Sequence, residues 1–165
     1  RDEWQIVPST WVSEALFIRR NNIYPKLIIN EANAYTTDTM HRVTIKKDTK
    51  LLSGKKVNMK ALVASYYNSL SLAFAEICGR SHGGGALELM PNEVESILLP
   101  YREENVELLD KIDSMMRKGR DIDEILEFTD KRILKEGYGF SEEKIKLANN
   151  IWKKLLNRRL GRNGN

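Results

Sequence analysis

Residues 58–90, NMKALVASYYNSLSLAFAEICGRSHGGGALELM, decide the fold. Asn58 offers a helix N-cap, and Leu62, Val63, Tyr66, Tyr67, Leu70, Ala73, Phe74 and Ile77 then recur at helical spacing as far as Gly79. The spacing predicts one long helix, stopped by Gly79 and followed by the loop Arg80-Ser81-His82-Gly83-Gly84-Gly85. Beyond the glycines, Ala86-Leu87-Glu88-Leu89-Met90 alternates like a strand, and Pro91-Asn92-Glu93-Val94 opens a short turn or helix.

Upstream, residues 1–57 hold short apolar runs broken by turn residues: Ala15 to Ile18, Leu27 to Asn30, and the alternating Arg42-Val43-Thr44-Ile45-Lys46. Runs this short with β-branched residues predict strands, with turns at Asn21-Asn22 and Leu52-Ser53-Gly54-Lys55. Downstream of Glu103 the pattern becomes three helical segments. They run to Gly119, from Asp121 to Gly137 with Glu124 at capping-box spacing, and from Ser141 to Gly161. The expected fold class is α+β: a small irregular sheet with a long packed helix over residues 1–102, then a helical part with a short basic tail (Arg158 to Asn165) over residues 103–165.

The 165 residues suffice for one ordinary core. No apolar run approaches the roughly 18–20 residues of a membrane span, and no signal-peptide core precedes Pro8, so no membrane partner is expected. A start at Arg1 without Met suggests an excised or processed piece. Cys78 has no second cysteine to pair with, which suits a reducing cytoplasm. With only His41 and His82 besides Cys78, metal ligands are too few for a structural zinc, and no metal is expected. Trp4, Trp11 and Trp152 read first as core anchors.

The net charge of +4 conceals a division. Residues 1–87 carry 12 Lys/Arg against 7 Asp/Glu, residues 88–144 carry 9 against 16, and residues 145–165 carry 6 against none. Positive ends around an acidic middle suit a chain that turns one face to a polyanion. The densest basic stretch runs from Arg42 through Lys46, Lys47, Lys50, Lys55 and Lys56 to Lys60, with Asp48 its sole acid. Lysines there can neutralise phosphates without reading sequence. Asn30, Thr37, Asp38, His41 and Arg42 offer shorter, geometrically defined groups for base edges, Arg42 above all because a guanidinium pairs bidentately with guanine. Each also fits a turn cap or a surface hydrogen bond. Gly83-Gly84-Gly85 permits close approach to a phosphate, with Arg80, Ser81 and His82 beside it, and reads equally as a flexible connection.

Four features in order resemble the C-terminal target-recognition region of DNA adenine N6-methyltransferases of restriction-modification systems, type II and fused IIG enzymes among them. They are the run from Tyr24 to Asn30; Thr37-Asp38 with Met40-His41-Arg42-Val43; Tyr67-Asn68-Ser69-Leu70 with Glu76; and Gly79 to Leu89, ending near Pro100. The resemblance implies sequence-specific binding of duplex DNA beside a catalytic lobe of the same parent chain, in a prokaryotic cytoplasm. That lobe would hold S-adenosylmethionine and a flipped adenine. This chain has no Asn/Asp-Pro-Pro-Tyr/Phe tetrad and no Phe-x-Gly-x-Gly, so no cofactor and no catalysis are expected of it alone. Two other classes remain open: a stand-alone nuclease using the acidic middle, and a helical protein-docking module over Glu103 to Leu160.

Overall fold

The computed structural model describes residues 11–51 and 54–161, and it is α+β. Two small antiparallel sheets meet at Arg19. In the first, β1 (Ala15–Ile18) lies between β3 (Leu27–Ile29) and β4 (Met40–Val43). In the second, β6 (Ala86–Glu88) lies between β2 (Arg20–Asn21) and β5 (Arg80–His82). The Arg19 amide donates to Thr39 on the first side, and its carbonyl accepts from Leu89 on the second, so one residue hands the chain from sheet to sheet. The single irregular sheet expected from sequence is therefore two. Arg80 to His82, expected as loop, is a strand, and the Arg42–Lys46 run stays a strand only to Val43.

The register decides which residues of the first sheet face inward. Ala15 pairs with Ile29 and Val43, and Phe17 with Leu27 and His41, which puts these six on one face. Leu16 pairs with Ile28 and Arg42 on the other. The inner face packs under α1 (Met59–Tyr66), whose cap Asn58 accepts from the Lys60 and Ala61 amides.

The long helix predicted from Asn58 to Gly79 is two helices. α1 stops at Tyr66, and α2 (Ser69–Cys78) starts anew because Asn68 is extended (φ −155°, ψ 159°) and caps it, accepting from the Ser71 amide. The Asn68 side chain also donates to the Ser65 carbonyl and the Ser71 hydroxyl. The break lets two consecutive tyrosines both be buried. Tyr66 donates to the Pro25 carbonyl and Tyr67 to that of Leu27, with their rings edge to face at 5.3 Å. Burial pushes both phenols up, Tyr66 well above its usual range.

After α3 (Pro91–Glu95), a 3-10 turn at Glu103–Leu108 leads into α4 (Leu109–Arg117). α5 (Ile122–Thr129) widens into a π-helical stretch, Asp130–Gly137, and α6 (Glu142–Gly161) follows. Asp121 caps α5 through the Asp123 amide, but the expected box with Glu124 does not form; Glu124 turns to Arg120. Gly119 and Gly139 take the left-handed backbone expected of stop residues, whereas Gly137 does not. One core joins both halves: Phe17, Tyr66, Tyr67, Leu72 and Leu87 belong to the same cluster as Ile112, Leu126, Ile133 and Trp152. α6 lies along α2. Among the described residues, no helix is long and apolar enough to cross a membrane.

Candidate nucleic-acid interface

The residues singled out on the first sheet separate into two groups. Asn30 is buried and serves its own loop, donating to the Ser13 and Ala34 carbonyls while accepting from the Ala34 amide. His41 lies on the core face, where its Nε2 meets the Leu89 carbonyl at 2.6 Å and its ring stacks on Phe17. Both shape the surface from beneath. Arg42 lies on the outward face and is exposed, its guanidinium 4.7 Å from the centre of the Trp11 ring. Thr37 and Asp38 are exposed in the turn before β4, with the Thr37 hydroxyl 2.9 Å from that of Thr39. Trp11 is thus exposed while Trp152 anchors the core; Trp4 lies outside the described residues.

The lysines continue from β4 as a hairpin. Thr49 closes a turn on the Lys46 carbonyl, Lys50 bridges Lys56 in antiparallel register, and the Leu51 amide donates to the Lys55 carbonyl. Gly54 takes φ +80° at the tip; Leu52 and Ser53 of the expected turn lie outside the described residues. Lys46, Lys47, Lys55 and Lys56 are all exposed, and Lys55 pairs with Glu103 at 3.1 Å. A close run of ammonium groups on a short hairpin is a concentrated positive surface.

The glycine block is a tight turn joining β5 to β6. Gly84 and Gly85 have φ of +76° and +69°, which L side chains rarely adopt. Gly79 is different: at φ −80° it is not a left-handed cap, but a Cβ there would lie 2.7 Å from Leu87 Cδ1 and 2.9 Å from the Ala75 carbonyl. Neither Arg80 nor His82 lacks a partner. Arg80 pairs with Glu93 and His82 with Glu88, each at 2.5 Å, and Ser81 is exposed between them.

Glu88 was not singled out by sequence, yet it organises this sheet. Its buried carboxylate receives Arg19 and Arg20, each at 2.9 Å, as well as His82. The Arg20 hydrogen bond, with the charges of Arg20, Arg19 and His82, holds it below its usual range. The Met90 amide, then Arg80, does the same for Glu93. Strand alternation gives Glu88 a face but cannot show that Arg20 lies opposite, 68 residues earlier.

Two buried locks tie the helical half to this surface. Asp130, in the π-helical stretch, accepts from the Ser69 amide at 2.8 Å and hydroxyl at 2.5 Å. Burial pushes the Asp130 carboxyl up, against the lowering effect of Ser69. The second lock lies in the last turn of α6, which reaches Gly161 as expected; there Arg159, within the stretch expected as a short basic tail, is buried. Arg159 meets both Glu76 oxygens (3.0 and 2.6 Å), and it donates to the Asn22 carbonyl at 2.6 Å and to the Gly85 carbonyl. Glu76 and the Asn68-Ser69 pair, quoted above for their resemblance, therefore brace the fold.

Apart from the buried Glu88 and Asp130, acids of the middle section lie along helix surfaces. Asp113 pairs with Arg117, Glu136 with Arg132 and Asp123 with Lys153. Among the described residues, no group of three or more His, Cys, Asp or Glu is placed to hold a metal ion.

Compared with known families, residues 1–134 match the family described as the type II methyltransferase M.Eco57I, C-terminal domain. No curated protein and no solved structure matches the chain.

Proposed function

Since the chain belongs to the family of the C-terminal domain of the type II methyltransferase M.Eco57I, we propose that it binds duplex DNA and serves target recognition for an adenine N6-methyltransferase of a restriction-modification system. The observation that carries this reading is the family match over residues 1–134, which includes the Arg42 face, the lysine hairpin and the glycine turn. Lys46, Lys47, Lys55 and Lys56 supply charge to phosphates and release counterions. Arg42, with Thr37 and Asp38 in the neighbouring turn, supplies groups of defined geometry for base edges. Asn30 and His41 act as positioning residues beneath that surface. Arg80, Ser81 and His82 flank the turn Gly83-Gly84-Gly85, where the backbone can come close to a phosphate.

S-adenosylmethionine belongs to the catalytic lobe in this reading. A glycine loop that cradles such a cofactor leads from a strand into a helix N-terminus. Here the glycines join two antiparallel strands, so the fit is lacking and no chemical step is assigned to them. The partners are then duplex DNA and the catalytic lobe of the same parent, in the prokaryotic cytoplasm.

The test is a titration of a labelled duplex with the chain at two salt concentrations, alongside a methyl-transfer assay. Binding that weakens steeply with salt, without turnover by the chain alone, is the expected result. Binding indifferent to salt, or no binding even beside the catalytic lobe, would overturn it.

A further inference from the structure

A cleft of about 190 Å³ opens between the end of α6 and β5, with Glu76, Gly79, Ser81, Arg158 and Arg159 in its lining. Two of its charges cancel: Glu76 and Arg159 form their bidentate pair with side chains 3% exposed. Arg158 is the next residue, exposed, and among the described residues no carboxylate lies within ion-pair distance of it. Among the described residues, then, the cleft holds one guanidinium with no carboxylate partner, lining the same space as the exposed Ser81. Nor is its position accidental to a floppy end. Arg159 is fastened to the Asn22 and Gly85 carbonyls, so the helical turn carrying Arg158 is held against the glycine turn.

We propose that Arg158, presented by this anchored end of α6, binds a phosphate of the DNA backbone beside Ser81 and the glycine turn. The proposal rests on the DNA-binding reading above and extends the surface beyond the family match, which ends at residue 134, before α6 begins. A guanidinium offers forked donors that match phosphate oxygens, and a neighbouring hydroxyl can donate a further bond. The neutralised Glu76–Arg159 pair removes the repulsion a free carboxylate would exert on an approaching anion.

The test uses the full chain and a labelled duplex titrated across salt, with Arg158→Ala, Arg158→Lys and Lys46→Ala beside wild type. Loss of one phosphate contact removes about 0.9 from the slope of log affinity against log salt, roughly fivefold in affinity near physiological salt. Arg158→Ala should show that loss with an unchanged melting temperature, and Arg158→Lys should recover most of it. Arg158→Ala binding like wild type at every salt while Lys46→Ala weakens would overturn the inference and leave the DNA reading standing. Salt-independent binding by wild type would overturn both. Equal losses in Arg158→Ala and Arg158→Lys, with lowered melting temperatures, would make Arg158 a packing residue and also overturn it.

Discussion

Arg42 and Lys46 are four residues apart and both exposed, yet on the proposed reading they differ in the information they can carry. Arg42 sits on the outward face opposite Leu16, steadied over the Trp11 ring, so on the proposed reading its fork is oriented before any DNA binds. Arg42→Ala should cost about 1–3 kcal/mol on the preferred site and far less on scrambled duplex. An equal loss on both would make it another phosphate contact. Lys46→Ala should weaken binding alike on all sequences and flatten the salt slope by about one unit. Glu88 gives a prediction in pH. Its folded pKa lies below the ordinary 4.5, so its stabilisation is present above that value and lost as pH falls through the depressed one. Melting temperatures of Glu88→Gln should therefore lie below wild type at neutral pH and converge with it in acid; a gap that persists below the depressed pKa would refute the ion-pair origin. Arg42 could be placed on a strand from sequence, but alternation left its face open, and the pairing with Leu16 assigns it. Glu88 was not legible, because its cations come from other strands.

Among the elements, the strand at Ala15–Ile18 could be read to the residue, whereas the break at Asn68 could not. Tyr66, Tyr67 and Leu70 continue the helical period straight across it, and that period masked a capping signal of the same kind as at Asn58. Asn68→Ala should cost about 1–3 kcal/mol in urea unfolding, since it removes a cap and leaves buried groups such as the Ser65 carbonyl without their partner. An unchanged midpoint would mean that the two helices can merge. The glycines offer a contrast within one motif. Gly79→Ala should cost about 1–3 kcal/mol through overpacking against Leu87 and the Ala75 carbonyl. Gly84→Ala meets nothing within 4 Å, so its cost of about 1 kcal/mol is backbone strain alone. Gly84→Asn, which tolerates the left-handed region, should recover part of that loss, while Gly79→Asn should be worse than Gly79→Ala.

At the scale of the molecule, composition and period were enough to foresee α+β with a helical second half. They could not foresee how the halves interlock, because Arg159 meets Asn22 across 137 residues and Gly85 across 74. From sequence, residues 158–165 read as a short basic tail overlapping the end of a helix, with nothing to mark Arg159 as buried. Arg159→Ala should cost about 3–5 kcal/mol by leaving Glu76 buried and unpaired. Replacing Glu76 and Arg159 together by Met should recover only part, since the Asn22 and Gly85 carbonyls still lose their donor; full recovery would show that those two bonds contribute little. The same lock has a consequence in time. On the ribosome the glycine turn emerges first, and the arginine that fastens it follows 74 residues later, an interval of roughly 4–15 s at about 5–20 residues per second. Throughout that interval the lysine hairpin has been synthesised while the glycine turn is unfastened, so a nascent chain carries its concentrated positive charge before it acquires its finished shape.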